Sequence, residues 1–292
     1  MNYLSKISMR LVVVASLVTI ALFTSSCLSM ESYDELPSIV AHRGGAALGP
    51  ENTLAAFEKG LEHNPDMVEF DIHLSKDGVL MVNHDPLLAR TTGQPGAISD
   101  YDAATLATFD AAATYEKGHA FGFQKIPTLA EVVDLVEQKA VRPVYYQIEI
   151  KMKEDGSRYA DIEKNLVHFL QDRELTERSI VISFDFPTLA TVGKLEPNIT
   201  LGALVSKTYM RGVGTGDPKV IASDIASLGV DYVGIHYRYL SPVLLDEFRK
   251  KGLGVGVWTV DDTGTMKKLA RMGIDFISTN KPDLLRETLT QL

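Results

Sequence analysis

The sequence predicts an α/β fold, a (β/α)8 barrel of the TIM type with a small insertion after its second strand. Three observations carry this expectation. Strand-like and helix-like segments alternate eight times over roughly 250 residues, the length and period of such barrels. The second strand alternates strictly, with Val68, Phe70 and Ile72 on one face and Glu69, Asp71 and His73 on the other. Charged residues gather where the strand-like runs end, and barrels of this kind build their sites there. A doubly wound open sheet is the alternative arrangement of the same alternation.

The chain has 292 residues, 45% hydrophobic and 23% charged, as an ordinary globular protein does. Residues 1–26 read as an export signal: Lys6 and Arg10, an apolar run Leu11–Phe23, then Thr24-Ser25-Ser26. That run is too short for a comfortable membrane span. Cys27, the single cysteine, sits where a bacterial lipobox places its lipidated thiol, although Thr24 stands where Leu is usual. The reading is an exported protein, periplasmic or in the cell envelope, held to a membrane by an N-terminal lipid anchor and carrying no disulfide. Without Lys6 and Arg10 the formal charge moves from −9 to −11. Such an acidic surface argues against nucleic acid as a partner.

Residues 27–37 form a tether, polar and acidic from Met30 to Pro37, and residues 38–292 form the barrel domain. The expected strands are Ser38–His42, Met67–Ser75, Val144–Lys151, Ser179–Phe184, Ile199–Val205, Tyr232–His236, Gly254–Val260 and Phe276–Thr279. Between them lie helical patterns at Thr53–Glu62, Thr128–Lys139, Tyr159–Gln171, Pro187–Leu195, Pro218–Leu228, Pro242–Lys250, Thr263–Arg271 and Pro282–Thr290. Several open with Pro or Thr, as first turns do. Val79–Asn83 reads as an extra short strand after the turn signal Asp77-Gly78. The insertion, about 87–126, is rich in Ala, Gly and Thr, weakly helical around Ala103–Ala112, and expected to lie over the active face as a lid.

The strand ends supply His42-Arg43, Glu69 with Asp71, Glu149 with Lys151, and later Ser183, His236, Trp258 and Thr279-Asn280; His84 follows the extra strand. A barrel interior holds several carboxylates only if cations sit among them, because unpaired buried carboxylates are very costly. Oxygen donors without clustered His or Cys suit a hard divalent cation, Mg²⁺ or Ca²⁺. Two imidazoles beside such a centre suit phosphoryl transfer. The cation, Arg43 and Lys151 would offset the phosphodiester's charge, one His would deprotonate the attacker, and the other would protonate the leaving alkoxide.

HRGG, PENT, VEFDIHLSKDG and NHDP resemble the glycerophosphodiester phosphodiesterase family, of the phospholipase C-like phosphodiesterase superfamily. RTT at 90–92, IPTLAE at 126–131, QIEIK at 147–151, ISF at 182–184, GVWTV at 256–260 and the closing ISTNKPDLL are similar to its later motifs. The resemblance implies a small-molecule glycerophosphodiester substrate, hydrolysed to sn-glycerol 3-phosphate and an alcohol. It implies catalytic His42 and His84, and metal ligands Glu69, Asp71 and Glu149. It places Glu51 beside the site, ordering His42 or the substrate. Arg43 and Lys151 are expected to bind phosphate, and Trp258 to wall the glycerol. Three positions depart from the family pattern: Asn280 stands where Asp is usual, and Asp261 where Asn often follows the Trp motif. His73 is the third.

Blander readings compete. The two histidines could cap strand ends, Arg43 could pair with Glu51, Lys151 could pair with Glu149, and Glu51 could serve only as a helix cap. Asp85 could merely stabilise the turn holding His84. His63, His119 and His168 read as solvated, His236 is open, and the glycine-rich 212–217 run reads as a loop. Rival functions are a lysophospholipase D-type phosphodiesterase acting on intact lipids and a non-catalytic lipoprotein that binds phosphate esters.

Overall fold

The computed structural model describes residues 36–116, 120–213 and 216–292. The expected signal, Cys27 and most of the tether lie outside these residues, as does His119; the 212–217 run is described only in part. Nine strands follow in order: β1 Ser38–Ala41, β2 Met67–Leu74, β3 Leu80–Val82, β4 Tyr145–Ile150, β5 Ser179–Ser183, β6 Thr200–Val205, β7 Tyr232–His236, β8 Gly254–Trp258 and β9 Phe276–Thr279. All except β3 are parallel, and β1 pairs with both β2 and β9, so the eight parallel strands close into a barrel. Closure leaves the eight parallel strands without a free edge among themselves. The short β3 pairs antiparallel with the far half of β2, His73 opposite Met81.

The strand alternation sorts side chains between two cores. Val68, Phe70, Ile72, Tyr146 and Ile148 face outward to the helices. Val40, Met67, Ile180, Ile182, Leu204 and Phe276 pack inside the barrel, with Tyr145, Tyr232 and Trp258 against them. The interior aromatics need glycines opposite. A Cβ on Gly256 would stand 1.8 Å from the Phe276 ring, so β8 passes that ring only with hydrogen at this position.

The helices are α1 Leu54–Leu61, α2 Ala89–Thr92, α3 Ala103–Leu106, α4 Leu129–Lys139, α5 Ile162–Asp172, α6 Phe186–Leu195, α7 Lys207–Gly212, α8 Pro218–Ala226, α9 Pro242–Lys250, α10 Thr263–Arg271 and α11 Pro282–Thr290. Thr128 and Glu131 form a reciprocal capping box on α4, and Pro opens α8, α9 and α11. The sequence pattern missed α2 and α7. The latter is a short Ser206-capped turn that buries no side chain fully, so it carries no periodic apolar signal.

The described residues of the insertion build a small core of their own. Leu88, Ile98, Leu106, Ala111 and Ile126 close on Met81 as a separate small core. Its surface contribution near the barrel mouth comes from Arg90, whose guanidinium meets Glu51 and Asp85. Among the described residues no helix is long and apolar enough to cross a membrane.

Candidate active site

Register alone brings the first charges together. β2 and β4 align Glu69 with Gln147 and Asp71 with Glu149 on the inner face. Glu69, Asp71 and Glu149 are buried, and one oxygen of each lies within 4.8 Å of the others. Burial, reinforced by the charges of Asp71 and Glu149, holds Glu69 well above the usual carboxylate range. Burial likewise pushes Glu149 up to about 7, against the pull of Lys151. Burial would raise Asp71 too, but Lys151 and Arg43 keep it below its ordinary value.

Two cations face these three acids. The Lys151 Nζ donates to Glu149 Oε1 at 2.7 Å and lies 3.4 Å from Asp71 Oδ1. Arg43 adopts a left-handed backbone (φ 50°), and its backbone N–H donates to Glu69 Oε2 at 2.8 Å. Its Nε stands 3.5 Å from Asp71 Oδ2 without a hydrogen-bond partner. Three carboxylates thus face two cations, and the raised Glu69 and Glu149 balance the difference by keeping protons where exposed carboxyls lose them. The cluster's all-oxygen donor set fits Mg²⁺ or Ca²⁺ in the same place.

Each catalytic candidate is held through one ring nitrogen. His42 Nδ1 meets Asn280 Oδ1 at 2.7 Å, and its Nε2 lies 3.9 Å from Glu69 Oε2. Burial, followed by the Arg43 cation, lowers His42 to about 4. His84 Nδ1 meets Asp85 Oδ1 at 2.5 Å. Burial lowers His84 as well, while Asp71 and Asp85 oppose the shift.

A surrounding set of groups orients these side chains. Glu51 accepts from Arg43 at 2.9 Å and from Arg90 at 2.5 Å, and Arg90 Nε donates to Asp85 Oδ2 at 2.5 Å. Asn52, also left-handed (φ 58°), donates to Asp71 Oδ2 at 2.9 Å. His73 is fully buried, its Nδ1 2.8 Å from the Tyr159 hydroxyl and its Nε2 3.1 Å from the carbonyl oxygen of His84. Burial lowers it to about 4, so the neutral ring ties β2 to the His84 turn near neutral pH.

These residues border a cavity of about 130 Å³. His42, Arg43, Glu69, His84, Gln147, Glu149 and Lys151 line one side; Ile182, Phe184, Leu204, Val257, Trp258 and Phe276 line the other. Seven of the nine site residues expected in the barrel line it, Trp258 from the opposite side, and Asp71 lies against Lys151. Glu51 does not line it, and instead clamps Arg43 and Arg90. The Arg43–Glu51 and Lys151–Glu149 pairs weighed as bland readings both form, within the same cluster. His236 packs among the rings of Tyr237, Tyr239 and Trp258. Sequence reasoning did not assign Gln147, Asn52 or Arg90 to the site. Each carried a signal: Gln147 alternates with Glu149 on one strand, and Asn52 and Arg90 fall within the PENT and RTT motifs.

Comparison with known proteins gives the family. Residues 42–284 match the model of the glycerophosphoryl diester phosphodiesterase family. A glycerophosphodiester phosphodiesterase of Caldanaerobacter subterraneus subsp. tengcongensis is 31% identical over 249 residues, covering 85% of this chain and 95% of that protein. The crystal structure of a Thermotoga maritima glycerophosphodiester phosphodiesterase shares 26% identity at a TM-score of 0.68, over 87% of this chain and 99% of that one. An Oleispira antarctica phosphodiesterase, solved with its product sn-glycerol-3-phosphate, superposes at a TM-score of 0.72 with 24% identity, over 87% of this chain and 97% of that one, a likeness of fold. The chain belongs to the glycerophosphoryl diester phosphodiesterase family.

Proposed function

We propose that this chain hydrolyses glycerophosphodiesters to sn-glycerol 3-phosphate and an alcohol, using a divalent cation and two histidines. The observation that carries the reading is the convergence of three buried carboxylates, two cations and two imidazoles on one cavity. Glu69, Asp71 and Glu149 would hold Mg²⁺ or Ca²⁺, which when bound offsets the charge of the phosphodiester. Lys151 and Arg43 add fixed positive charge beside it.

Partner chemistry supports one division of roles between the histidines. Asn280 presents a carbonyl oxygen to His42, so His42 Nδ1 carries the hydrogen and Nε2 keeps a lone pair. A neutral ring of this form accepts a proton from the attacking oxygen, a water or the neighbouring glycerol hydroxyl. His84 faces the Asp85 carboxylate, which together with Asp71 offsets part of the lowering by burial and so supports its protonated form when the alcohol leaves. His84 then gives its proton to the alcohol oxygen as the phosphorus–oxygen bond breaks.

The experiment is release of glycerol 3-phosphate from a panel of head groups, with and without EDTA. Wild-type protein is expected to turn over, to stop on chelation, and to lose about 10²–10⁴-fold with either His42→Ala or His84→Ala. A p-nitrophenyl diester separates the roles, because its leaving group needs no proton. His84→Ala should recover much of its rate there and His42→Ala should not; the opposite pattern reverses the assignment.

The cavity is smaller than the roughly 300–1,000 Å³ of drug-sized ligand sites. That supports a compact substrate, while the apolar side with Phe184 and Trp258 supports the lysophospholipase D-type alternative. Glycerophosphocholine against lysophosphatidylcholine distinguishes them. Export and anchoring through Cys27 belong to the same proposal, with Cys27→Ser expected to move the protein out of the membrane fraction.

A further inference from the structure

We propose that Asp261 is a positioning residue that sets the tautomer of His42 through the side-chain amide of Asn280. The inference rests on His42 being the proton acceptor of the reaction proposed above. An asparagine amide is nearly symmetric in shape, so an isolated Asn280 could present either its oxygen or its NH₂ to His42. With the NH₂ facing the ring, Nδ1 would have to accept, and the hydrogen would move to Nε2, the nitrogen that faces the cavity. That ring could not take a proton there.

Asp261 removes the choice. Its Oδ2 accepts from Asn280 Nδ2 at 2.7 Å, and its Oδ1 accepts from the Asn280 backbone N–H at 2.8 Å and the Thr279 hydroxyl at 3.0 Å. An ionised carboxylate only accepts, so it holds the NH₂ end of Asn280 towards itself. The oxygen end then points at His42 Nδ1, 2.7 Å away, and requires a hydrogen on that nitrogen. The backbone N–H of Val260 also donates to the Ser278 carbonyl at 3.0 Å, fixing the segments that follow β8 and β9 against each other. A purely structural tie between the two segments would need none of this polarity in the Asn280 side chain.

The test is Asp261→Asn against the reciprocal double variant Asp261→Asn/Asn280→Asp. In the single variant the new amide also donates, so Asn280 should rotate and turn its NH₂ to His42. Nitrogen-15 spectra of histidine-labelled, metal-free protein, with His42→Ala for assignment, should show His42 pass from the Nδ1–H to the Nε2–H form. With a divalent cation and glycerophosphodiester, kcat should fall by about 10²-fold while KM stays within about twofold, as a wrong tautomer acts on chemistry rather than binding. The double variant returns an oxygen to His42 and a donor to its partner, and should recover Nδ1–H and most of kcat. An unchanged tautomer, an unchanged kcat in Asp261→Asn, or no recovery in the folded double variant overturns the proposal. The spectra judge it without turnover, so a wild-type protein that releases no glycerol 3-phosphate tells against the catalytic reading separately.

Discussion

The two sides of the barrel mouth are built on opposite rules. The arc from β1 to β4 is crowded with charge: each acid is tied to a donor, and His42 and His84 are each tied to one oxygen through one ring nitrogen. The arc from β5 to β9 is defined by what it omits. Gly202 and Gly234 line the cavity beside Ile182, Leu204 and Trp258, and space is made there by missing side chains. Charges held this closely are arranged before substrate arrives, which is what transition-state stabilisation requires. Open apolar walls instead decide what fits. Damage to the first arc should therefore appear in kcat, and damage to the second in KM.

Asp71→Asn strains the comparison hardest. Asp71 is the carboxylate of the three that its neighbours hold ionised, and Lys151, Arg43 and Asn52 all point at it. Removing its charge leaves two half-buried cations less compensated and takes one ligand from the carboxylate cluster. We expect kcat to fall by about 10³-fold, with calorimetry showing weakened divalent-ion binding. Retention of ion affinity in the folded variant would remove Asp71 from the ligand set.

Gly234→Ala probes the opposite arc. Its Cβ would stand 2.5 Å from Leu204 Cδ2 and 3.7 Å from the Trp258 ring. Leu204 must then turn, and it lines the cavity. KM should rise about tenfold with kcat within about threefold, the signature of lost uniform binding, which steady-state kinetics reads directly. A fall confined to kcat would mean that the apolar arc also aligns the reacting atoms, and the division between arcs would fail.

The sequence made the charged arc far more legible than the apolar one. Glu69 and Asp71 announce themselves because period-two alternation against Val68, Phe70 and Ile72 leaves two acids pointing into a barrel. Glycine in a strand pattern carries no comparable mark, so Gly202 and Gly234 passed as ordinary strand residues. Long-range partnership was also hidden. Asn280 and Asp261 were each visible as departures from the family pattern, yet their hydrogen bonds arise only when β8 and β9 lie side by side. The packing of the insertion was hidden for a related reason: its sparse apolar residues, Leu88, Ile98 and Leu106, close on each other and on Met81 only in the folded chain.

The smallest expected effect tests whether the charged arc is complete without a cation. Burial and Asp71 push Glu149 up to about 7 despite Lys151, and Glu69 is raised for the same reasons. In the cation-free protein these carboxyls keep protons at pH values where exposed ones have lost them. A divalent ion must displace those protons, so its affinity rises with pH through this range and levels off above the raised pKa values. Only the native state offers the cluster, so ion binding stabilises it. The rise in Tm on adding Mg²⁺ or Ca²⁺ should thus be near zero at about pH 5 and reach a few degrees at about pH 8. Comparing with and without ion at each pH removes the histidines' own titration from the difference. Glu149→Gln should flatten the dependence by removing one of the displaced protons. A shift of equal size at both pH values would mean that the ion binds elsewhere, and that Lys151 and Arg43 suffice to balance the three acids.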